Sequence, residues 1–367
     1  MVKNMEICHS FKKNCNLKDR SDNPVVKAVG LRSVTLGREN LQTAEKFFID
    51  FGLEVVDRRH DVVLLRGRGD KTVSVIIEKG KNQYKGFTVE VASMEDLKRL
   101  SEKTRRDIET PSYNRGELCI HLTDPIGTNV EVIFNPRSCR VLPTALPVPF
   151  NCPGQYERVN KTIRIEEEFP PWINRLGHTV LGASHAEESI AWYQDTFGMI
   201  VSDFQFLDND PVPVTAFMRF DLGNLPADHH SIAIVSVIDV GHMHTSFEVR
   251  DFDTVMSCFN HLKPKGYHHT WGIGRHIFGS QIFDYWRDPE GEMFEHYADG
   301  DLFDSTLSAG YNRFSSRMIY QWGPKMNADM AGKIPTFSRV KTIMQRLLSP
   351  RDELTLRRLL KLVKASF

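Results

Sequence analysis

Histidine is unevenly distributed along this chain, and the distribution indicates where chemistry takes place. Eleven of the 14 histidines lie between His178 and His296, whereas the first third holds only His9, His60 and His121. Histidine is the commonest metal ligand in proteins, and because it titrates near neutral pH it also transfers protons. We therefore expect the functional site in the second half of the chain.

Three residues of that half have types and positions that suit a metal ion. His178 begins one expected strand, His244 lies on another, and Glu295 lies on the last strand, after an Asp288–Gly291 turn. Two imidazoles and one carboxylate from three strands are the donor set of a facial triad, which leaves positions open on a divalent iron. At this level His242 remains an alternative to His244, because residues two apart on a strand face the same side.

The elements that must position these residues come from an internal duplication. Residues 30–134 and 175–298 repeat the same landmarks in the same order. Each half has a strand and an amphipathic helix closed by glycine, and each ends in a hairpin with an Asp-Pro-x-Gly type I turn. The repeated motifs are Phe51-Gly52-Leu53 with Phe197-Gly198-Met199, and Asp124–Gly127 with Asp288–Gly291. The pattern predicts two β-α-β-β-β modules in each half.

The repeat also acts as an internal control on the metal ligands. Glu131 in the first half matches Glu295, but Gly86 stands against His244, and Arg32 or Ser33 stands against His178. The first half therefore lacks the histidines of an equivalent site, and we expect it to be metal-free.

The residues around the three ligands resemble a known family. The motifs that carry the resemblance are Asp228-His229-His230-Ser231, Gly274-Arg275-His276, Gly279–Trp286 and Glu295–Asp301. Together they resemble the type I extradiol ring-cleaving catechol dioxygenases of the vicinal oxygen chelate (glyoxalase/bleomycin-resistance-like) superfamily, over about residues 25–305.

The resemblance implies a fold, a reaction and a set of site residues. The fold is α+β, with two domains of paired β-α-β-β-β modules, each an incomplete barrel. The metal ligands are His178, His244 and Glu295, where His244 is selected over His242 because the family's ligand stands four residues before a glutamate. The catalytic and substrate-binding residues are His230, His276 and Tyr285, and His230 is selected over His229 because it directly precedes Ser231.

The implied activity is extradiol cleavage of a substituted catechol by O2, giving a muconic-semialdehyde-type product. The cofactor is Fe(II), with Mn(II) as the substitute, and the partners are the catechol and O2. Tyr285 would hydrogen-bond the deprotonated substrate oxygen, His276 the other oxygen, and His230 would donate a proton beside the oxygen site. Aromatic residues and Val180, which shares a face with His178, suit an apolar substrate. The aromatic residues are Phe278, Phe283, Trp286, Phe294 and Trp192.

Two other functions compete with this one. A glyoxalase-like isomerase with another divalent ion would share the ligands but lack the set His230, His276 and Tyr285. A non-catalytic binding protein on the same scaffold would have a broken triad, whereas the ligand types here are all in place.

Composition limits the remaining classes of protein. The 367 residues hold 47 Lys+Arg and 47 Asp+Glu, so the charge that marks nucleic-acid-binding proteins is missing. No apolar run approaches the roughly 18 residues of a membrane span, and no signal peptide opens the chain. Six scattered cysteines predict reduced thiols in a cytoplasmic protein. We further expect a homo-oligomer.

The predicted domain organisation has five parts. Residues 1–24 form a polar, mobile N-terminal tail, and residues 25–135 form the metal-free domain. A proline-rich connection spans 136–174 and the catalytic domain spans 175–305. The C-terminal extension, 306–367, has a Tyr320–Pro324 segment near the site mouth and a basic amphipathic helix at 349–367, with Ser349 as its N-cap.

Overall fold

A computed structural model describes residues 10–366 except 71, 112, 114–115, 136–148, 163–171, 238–239, 316–318, 328, 331–336 and 350–351. Most of the proline-rich connection therefore lies outside the described residues, as do Cys8 and Cys139. The other four cysteines are free thiols. No helix in the described part of the chain is long and apolar enough to cross a membrane.

The first half forms a seven-stranded sheet with two helices. Its elements are β1 (Ala28–Arg38), α1 (Leu41–Phe51), β2 (Glu54–Arg58), β3 (Val62–Arg66), β4 (Val75–Lys79), β5 (Gln83–Val91), α2 (Met94–Thr104), β6 (Leu118–Thr123) and β7 (Asn129–Phe134). The strand order in the sheet is β2-β3-β4-β1-β5-β7-β6, so β2 and β6 are the edge strands.

The second half forms a ten-stranded sheet in the order β18-β9-β10-β12-β8-β13-β16-β15-β14-β19, and β11 pairs with β17. Its first elements are β8 (Ile173–Ala183), α3 (Ala186–Phe197), β9 (Ile200–Phe206), β10 (Pro213–Arg219), β11 (Ala227–Asp228) and β12 (Ile232–Ser236). Then follow β13 (Gly241–Val249), α4 (Phe252–Leu262), β14 (His268–His276), β15 (Ile282–Arg287), β16 (Met293–Ala298) and β17 (Leu302–Phe303). The C-terminal extension adds β18 (Gly310–Arg313), β19 (Tyr320–Trp322), α5 (Phe337–Leu348) and α6 (Leu356–Ser366).

The duplicated α+β architecture is confirmed, and neither sheet closes into a full barrel. Three modules have three strands after the helix, as predicted. The second module along the chain, β5-α2-β6-β7, has only two strands after its helix within the described residues. Where a third strand was expected, Glu109 and Cys119 form only an isolated β-bridge.

The glycines predicted to end the first helix of each half do so. Gly52 follows α1 with φ 111°, and Gly198 follows α3 with φ 66°. Both values lie in the left-handed region, which glycine adopts without steric cost.

The two Asp-Pro-x-Gly turns dock the halves onto each other. In each turn one oxygen of the aspartate accepts two backbone N–H groups of the turn, and the other oxygen binds a side chain of the opposite half. Asp288 binds Arg38 of β1 at 2.6 Å, and Asp124 accepts a hydrogen bond from Tyr193 of α3 at 2.7 Å. The interdomain contact is therefore reciprocal.

A continuous apolar core extends this contact. Phe51 of α1 stacks on His296 of β16 with ring centroids 3.7 Å apart, and its carbonyl accepts the His296 Nε2 hydrogen bond. Phe48 packs edge-on against Phe294 at 5.0 Å. The first helix of the first half thus packs against the face of the second sheet that is opposite the candidate site.

Both chain ends differ from expectation. In the described part of the N-terminal segment, Phe11 stacks on Phe206 at 5.3 Å and Arg20 donates to the Ser305 carbonyl, so these residues are packed against the second half. The last helix begins at Leu356 and not at 350, with the Thr355 hydroxyl accepting the Arg358 N–H as its cap. Ser349 therefore does not cap it.

Two contacts dock the C-terminal end of the extension on the second half, in addition to the pairing of β18 and β19 with the second sheet. Glu353 accepts the N–H groups of Ala186 and Glu187, at the N-terminus of α3. Arg358 pairs with Asp210 at 2.8 Å. A carboxylate at a helix N-terminus satisfies donors that have no partner within the helix.

Candidate metal centre

Strand register brings the predicted ligands into one row across the second sheet. His178 of β8 is paired with Ser246 of β13, Ser246 with Glu295 of β16, and Glu295 with Tyr285 of β15. Residues paired across neighbouring strands have their side chains on the same face of the sheet. His244 lies two residues before Ser246 and shares that face.

The three predicted ligands converge there on a small volume. His178 Nε2 lies 3.3 Å from Glu295 Oε2, and His244 Nε2 lies 3.6 Å from the same oxygen. One donor atom from each residue lies within 4.8 Å of the other two. The three residues are 1%, 7% and 0% exposed. The three residues predicted as metal ligands therefore lie close enough together to hold one ion.

The charges of the trio suit a cation. Burial alone would raise the pKa of Glu295, but the neighbouring side chains of His178, His276 and His244 hold it well below its usual range. Burial, partly opposed by Glu295, lowers the pKa of His244 to about 3, so its imidazole is neutral. No lysine or arginine in the described residues forms an ion pair with Glu295. A buried carboxylate needs a compensating charge, and a metal ion held between it and the two imidazoles would supply that charge.

Ser246 belongs to this centre, and sequence analysis missed it. Its hydroxyl lies 2.7 Å from His178 Nε2 and also donates to Glu295 Oε2. Serine is common on strands and has no distinctive spacing here, so only the register of β13 against β8 and β16 identifies it.

His276 and Tyr285 form a hydrogen-bonded pair beside the trio. His276 Nδ1 lies 2.9 Å from the Ile319 carbonyl, which can only accept, so this nitrogen carries the proton. In the neutral ring Nε2 is then the acceptor, and Tyr285 donates to it at 2.9 Å. Burial raises the pKa of Tyr285 well above its usual range, with Glu295 as the next cause, so the phenol stays protonated.

His230 lies on the other side of the trio. Its ring centroid is 4.1 Å from that of His178. Burial and then the neighbouring His178 lower its pKa well below the usual range, so it is neutral. Residues 229–230 follow β11 and lie outside any strand. His229 is also buried, with Nδ1 3.0 Å from His230 Nδ1 and Nε2 2.8 Å from Asp203.

The ambiguity between His242 and His244 is resolved by an irregularity in β13. The pairing of β13 with β8 shifts register between these residues, so the rule that residues two apart share a face fails. His242 stacks on Tyr84 of the first half at 3.9 Å and binds Glu292 at 2.7 Å. His244 alone joins the trio.

Aromatic rings line the His230 and His276 sides of the site. Phe283 stacks on His276 at 4.2 Å and on Trp271 at 4.1 Å, while Phe278 stacks on Phe217, which packs against His230. Val180, paired with His244, is buried on the ligand face.

The other three aromatic residues predicted to lie near the site do not line it. Phe294, Trp286 and Trp192 pack on helices away from the ligand face. The predicted Tyr320–Pro324 segment contributes β19, which pairs with β14 beside His276.

Comparisons with known proteins agree with this arrangement. Residues 175–296 match the Glyoxalase/Bleomycin resistance protein/Dioxygenase superfamily. Metapyrocatechase 2 of Cupriavidus necator is 28% identical over 218 residues, which are 59% of this chain and 64% of that protein. The matched region thus spans less than two thirds of this relative.

Solved structures share the fold over most of the chain. A Mn(II)-bound glyoxalase from Novosphingobium aromaticivorans superimposes with a TM-score of 0.68 at 19% identity, covering 90% of this chain and 99% of that one. Homoprotocatechuate 2,3-dioxygenase from Arthrobacter globiformis gives 0.68 at 15% identity, covering 85% and 93%.

Proposed function

We propose that this chain, which carries a domain of the glyoxalase/bleomycin resistance/dioxygenase superfamily, is an Fe(II)-dependent extradiol dioxygenase. Its substrate would be a substituted catechol and its co-substrate O2, and the ring would open beside the two hydroxyls to a muconic-semialdehyde-type product. The observation that carries the proposal is the buried trio His178, His244 and Glu295, flanked by the Tyr285–His276 pair on one side and by His230 on the other.

The trio fits iron by its donor types. Two imidazoles and one carboxylate, without a thiolate, favour Fe(II), and Mn(II) is the substitute. When bound, Fe(II) would supply Lewis acidity and electrons for the reaction of catechol with O2. The trio would hold the ion, and His230, His276 and Tyr285 are the side chains beside it that could contact a bound substrate.

The side chains around the trio would handle protons and orient the substrate. Tyr285 would hydrogen-bond the catechol oxygen that has lost its proton, and His276 Nε2 would bond the second oxygen. His230, neutral and buried on the opposite side, would take up the proton that the catechol loses on binding and return it when the ring is cleaved. Val180 and the aromatic wall would exclude water around an apolar ring.

Catechol turnover under defined metal loading tests this proposal. Protein purified without oxygen and loaded with Fe(II) should consume one O2 per catechol and form a yellow product, across a panel of alkyl-substituted catechols. Absence of colour and of oxygen uptake with every catechol would refute it, as would stoichiometric zinc with activity retained.

A matched pair of variants connects the activity to the trio. His244→Gln should lose iron and activity together, whereas His242→Gln, two residues away and outside the trio, should keep its iron. Equal iron loss in both would contradict the ligand assignment.

A second candidate is a glyoxalase-like isomerase, because such an enzyme could use the same trio of metal-ligating residues. The trio serves both reactions, but Tyr285, His276 and His230 have a role only in the first. An isomerase would convert its substrate without consuming O2, so oxygen uptake separates the two.

A further inference from the structure

The first sheet contains a row of polar residues that corresponds to the candidate metal centre of the second. Ser33 of β1 is paired with Thr88 of β5, Thr88 with Glu131 of β7, and Glu131 with His121 of β6. In strand position this is the row formed by His178, Ser246, Glu295 and Tyr285. The hydroxyl that contacts the glutamate is also repeated, because Thr88 donates to Glu131 at 2.8 Å.

A different set of metal-ligating atoms meets in this row. Cys119 precedes His121 by two residues on β6, so both side chains lie on the face that carries Glu131. One donor atom from each of the three lies within 4.8 Å of the other two. We propose that Cys119, His121 and Glu131 form a second metal site, which takes Zn²⁺ or a similar thiophilic divalent cation.

The spacing of the trio suits tetrahedral zinc. Cys119 Sγ lies 3.7 Å from His121 Nε2. Zn–S and Zn–N bonds of about 2.3 and 2.0–2.1 Å at a tetrahedral angle place the two ligand atoms about 3.6 Å apart. The sulfur and nitrogen therefore already stand at the separation that a shared zinc ion requires.

The carboxylate of the trio is held in place by its neighbours. Glu131 Oε2 accepts from the hydroxyls of Thr88 and of Tyr113, the latter at 2.9 Å. Such outer hydrogen bonds fix the orientation of a metal-ligating carboxylate. His121 is exposed, so a water molecule can reach a fourth position.

Carboxylates near the thiol favour a cation. Glu131, Glu109 and Glu117 all lie close enough to Cys119 to act on it electrostatically, and Glu117 is also paired with Arg32. Binding of the cation would release the thiol proton to solvent and replace it by a positive charge among carboxylates. The site differs from the candidate catalytic centre in containing a thiolate, so the two sites differ in metal preference.

This inference changes the expectation that the first half is metal-free. That expectation rested on the missing equivalents of His178 and His244, whereas the trio here uses positions on β6 that have no ligand in the second half. Because β6 is an edge strand of its sheet, a metal bridging it to β7 would tie that edge down.

Cobalt substitution of the full chain tests the site directly. With Co²⁺ in place of zinc, a thiolate ligand gives a near-ultraviolet charge-transfer band, which the centre formed by His178, His244 and Glu295 cannot produce. We expect two equivalents of bound metal in the wild type together with this band. Cys119→Ser should abolish the band and reduce binding to one equivalent, while Cys152→Ser, at an exposed cysteine, should leave both unchanged.

A second variant covers the case in which Cys119→Ser fails to fold. His121→Ala alters an exposed side chain, and a far-ultraviolet circular dichroism spectrum verifies its fold. It should weaken Co²⁺ binding at the thiolate site at least tenfold. A band that persists in Cys119→Ser, a band lost equally in Cys152→Ser, or one equivalent of metal in the wild type would overturn the proposal. Catechol turnover is measured separately, so failure of the second site leaves the proposed dioxygenase activity standing.

Discussion

Tyr285→Phe is the substitution that most sharply separates a catalytic residue from a ligand. The change deletes one buried hydroxyl and keeps the ring, which packs against His244 and Trp271. Because Tyr285 is not in the trio, the variant should retain its iron. The lost contact is the 2.9 Å hydrogen bond to His276 Nε2, whose ring is fixed from the other side by the Ile319 carbonyl.

The size of the effect depends on what the hydroxyl does. If it only held His276 in place, losing a buried hydrogen bond would cost about 1–3 kcal/mol, or roughly 5- to 150-fold in rate. If it also stabilises the deprotonated substrate, the loss should reach the roughly 10²–10⁴-fold typical of a proton-handling group. We expect the turnover number to fall by the larger factor.

The assay is oxygen uptake and product absorbance at saturating catechol, with iron measured on the same sample. Tyr297→Phe is the matched control, since it removes an equally buried phenol hydroxyl two residues from Glu295 that has no hydrogen-bond partner among the described residues. It should stay within a few-fold of wild type. A Tyr285→Phe enzyme that loses its iron, or that turns over normally, would refute the role given to this residue.

Four further substitutions test other parts of the structure. Glu295→Ala removes the anionic ligand and should abolish iron binding and activity together, as read by elemental analysis and oxygen uptake. His230→Gln should keep its iron but consume more O2 than it forms product, because reactive oxygen escapes as peroxide, which catalase treatment reveals. Arg38→Met leaves the buried Asp288 carboxylate without its cation and should lower the free energy of unfolding by about 3–5 kcal/mol in urea titrations, with little loss when Asp288 is also Asn. Burial raises the pKa of Asp284 to about 6, partly opposed by His269. The contribution of Asp284 to folding stability is therefore present near pH 4 and lost as pH rises through 6. Between pH 4 and 7 the free energy of unfolding of the wild type should fall by roughly 2–3 kcal/mol relative to that of Asp284→Asn.

The sequence motifs that predicted the fold are those whose backbone conformation depends on a few neighbouring residues. Helix-closing glycines and Asp-Pro-x-Gly turns have fixed backbone requirements, so their repetition predicted the duplicated fold. The residue types and the repeat identified His178 and Glu295 as candidate ligands, whereas His244 was selected over His242 only through the family resemblance. The structure brings these three predicted ligands together.

The site features that could not be predicted from the sequence depend on irregular backbone or on pairing between strands that are distant in sequence. The register shift next to His242 turned it toward Tyr84, and the bend after β11 left His229 buried beside His230. Ser246 could not be predicted because only the cross-strand register places it between His178 and Glu295. Phe294 is adjacent to Glu295 on its strand and therefore faces the other side of the sheet.

The first-half metal trio was missed for a related reason. Comparing the two halves position by position showed what the first half lacked relative to the second. It could not show a new ligand pair, Cys119 and His121, at positions where the second half has Phe283 and Tyr285. Duplication alone predicts the scaffold of each half but not the chemistry that each half carries.

The packing of α1 against β16 has a consequence for the synthesis of this protein. At about 5–20 residues per second, the ribosome needs on the order of 10–50 s to make the 247 residues between Phe51 and Ala298. During that interval the phenylalanines of α1 that pack against Phe294 and His296 lack these partners. The nascent first half should thus expose the apolar face of α1, and a chain interrupted near residue 135 should aggregate on release instead of accumulating as a stable domain.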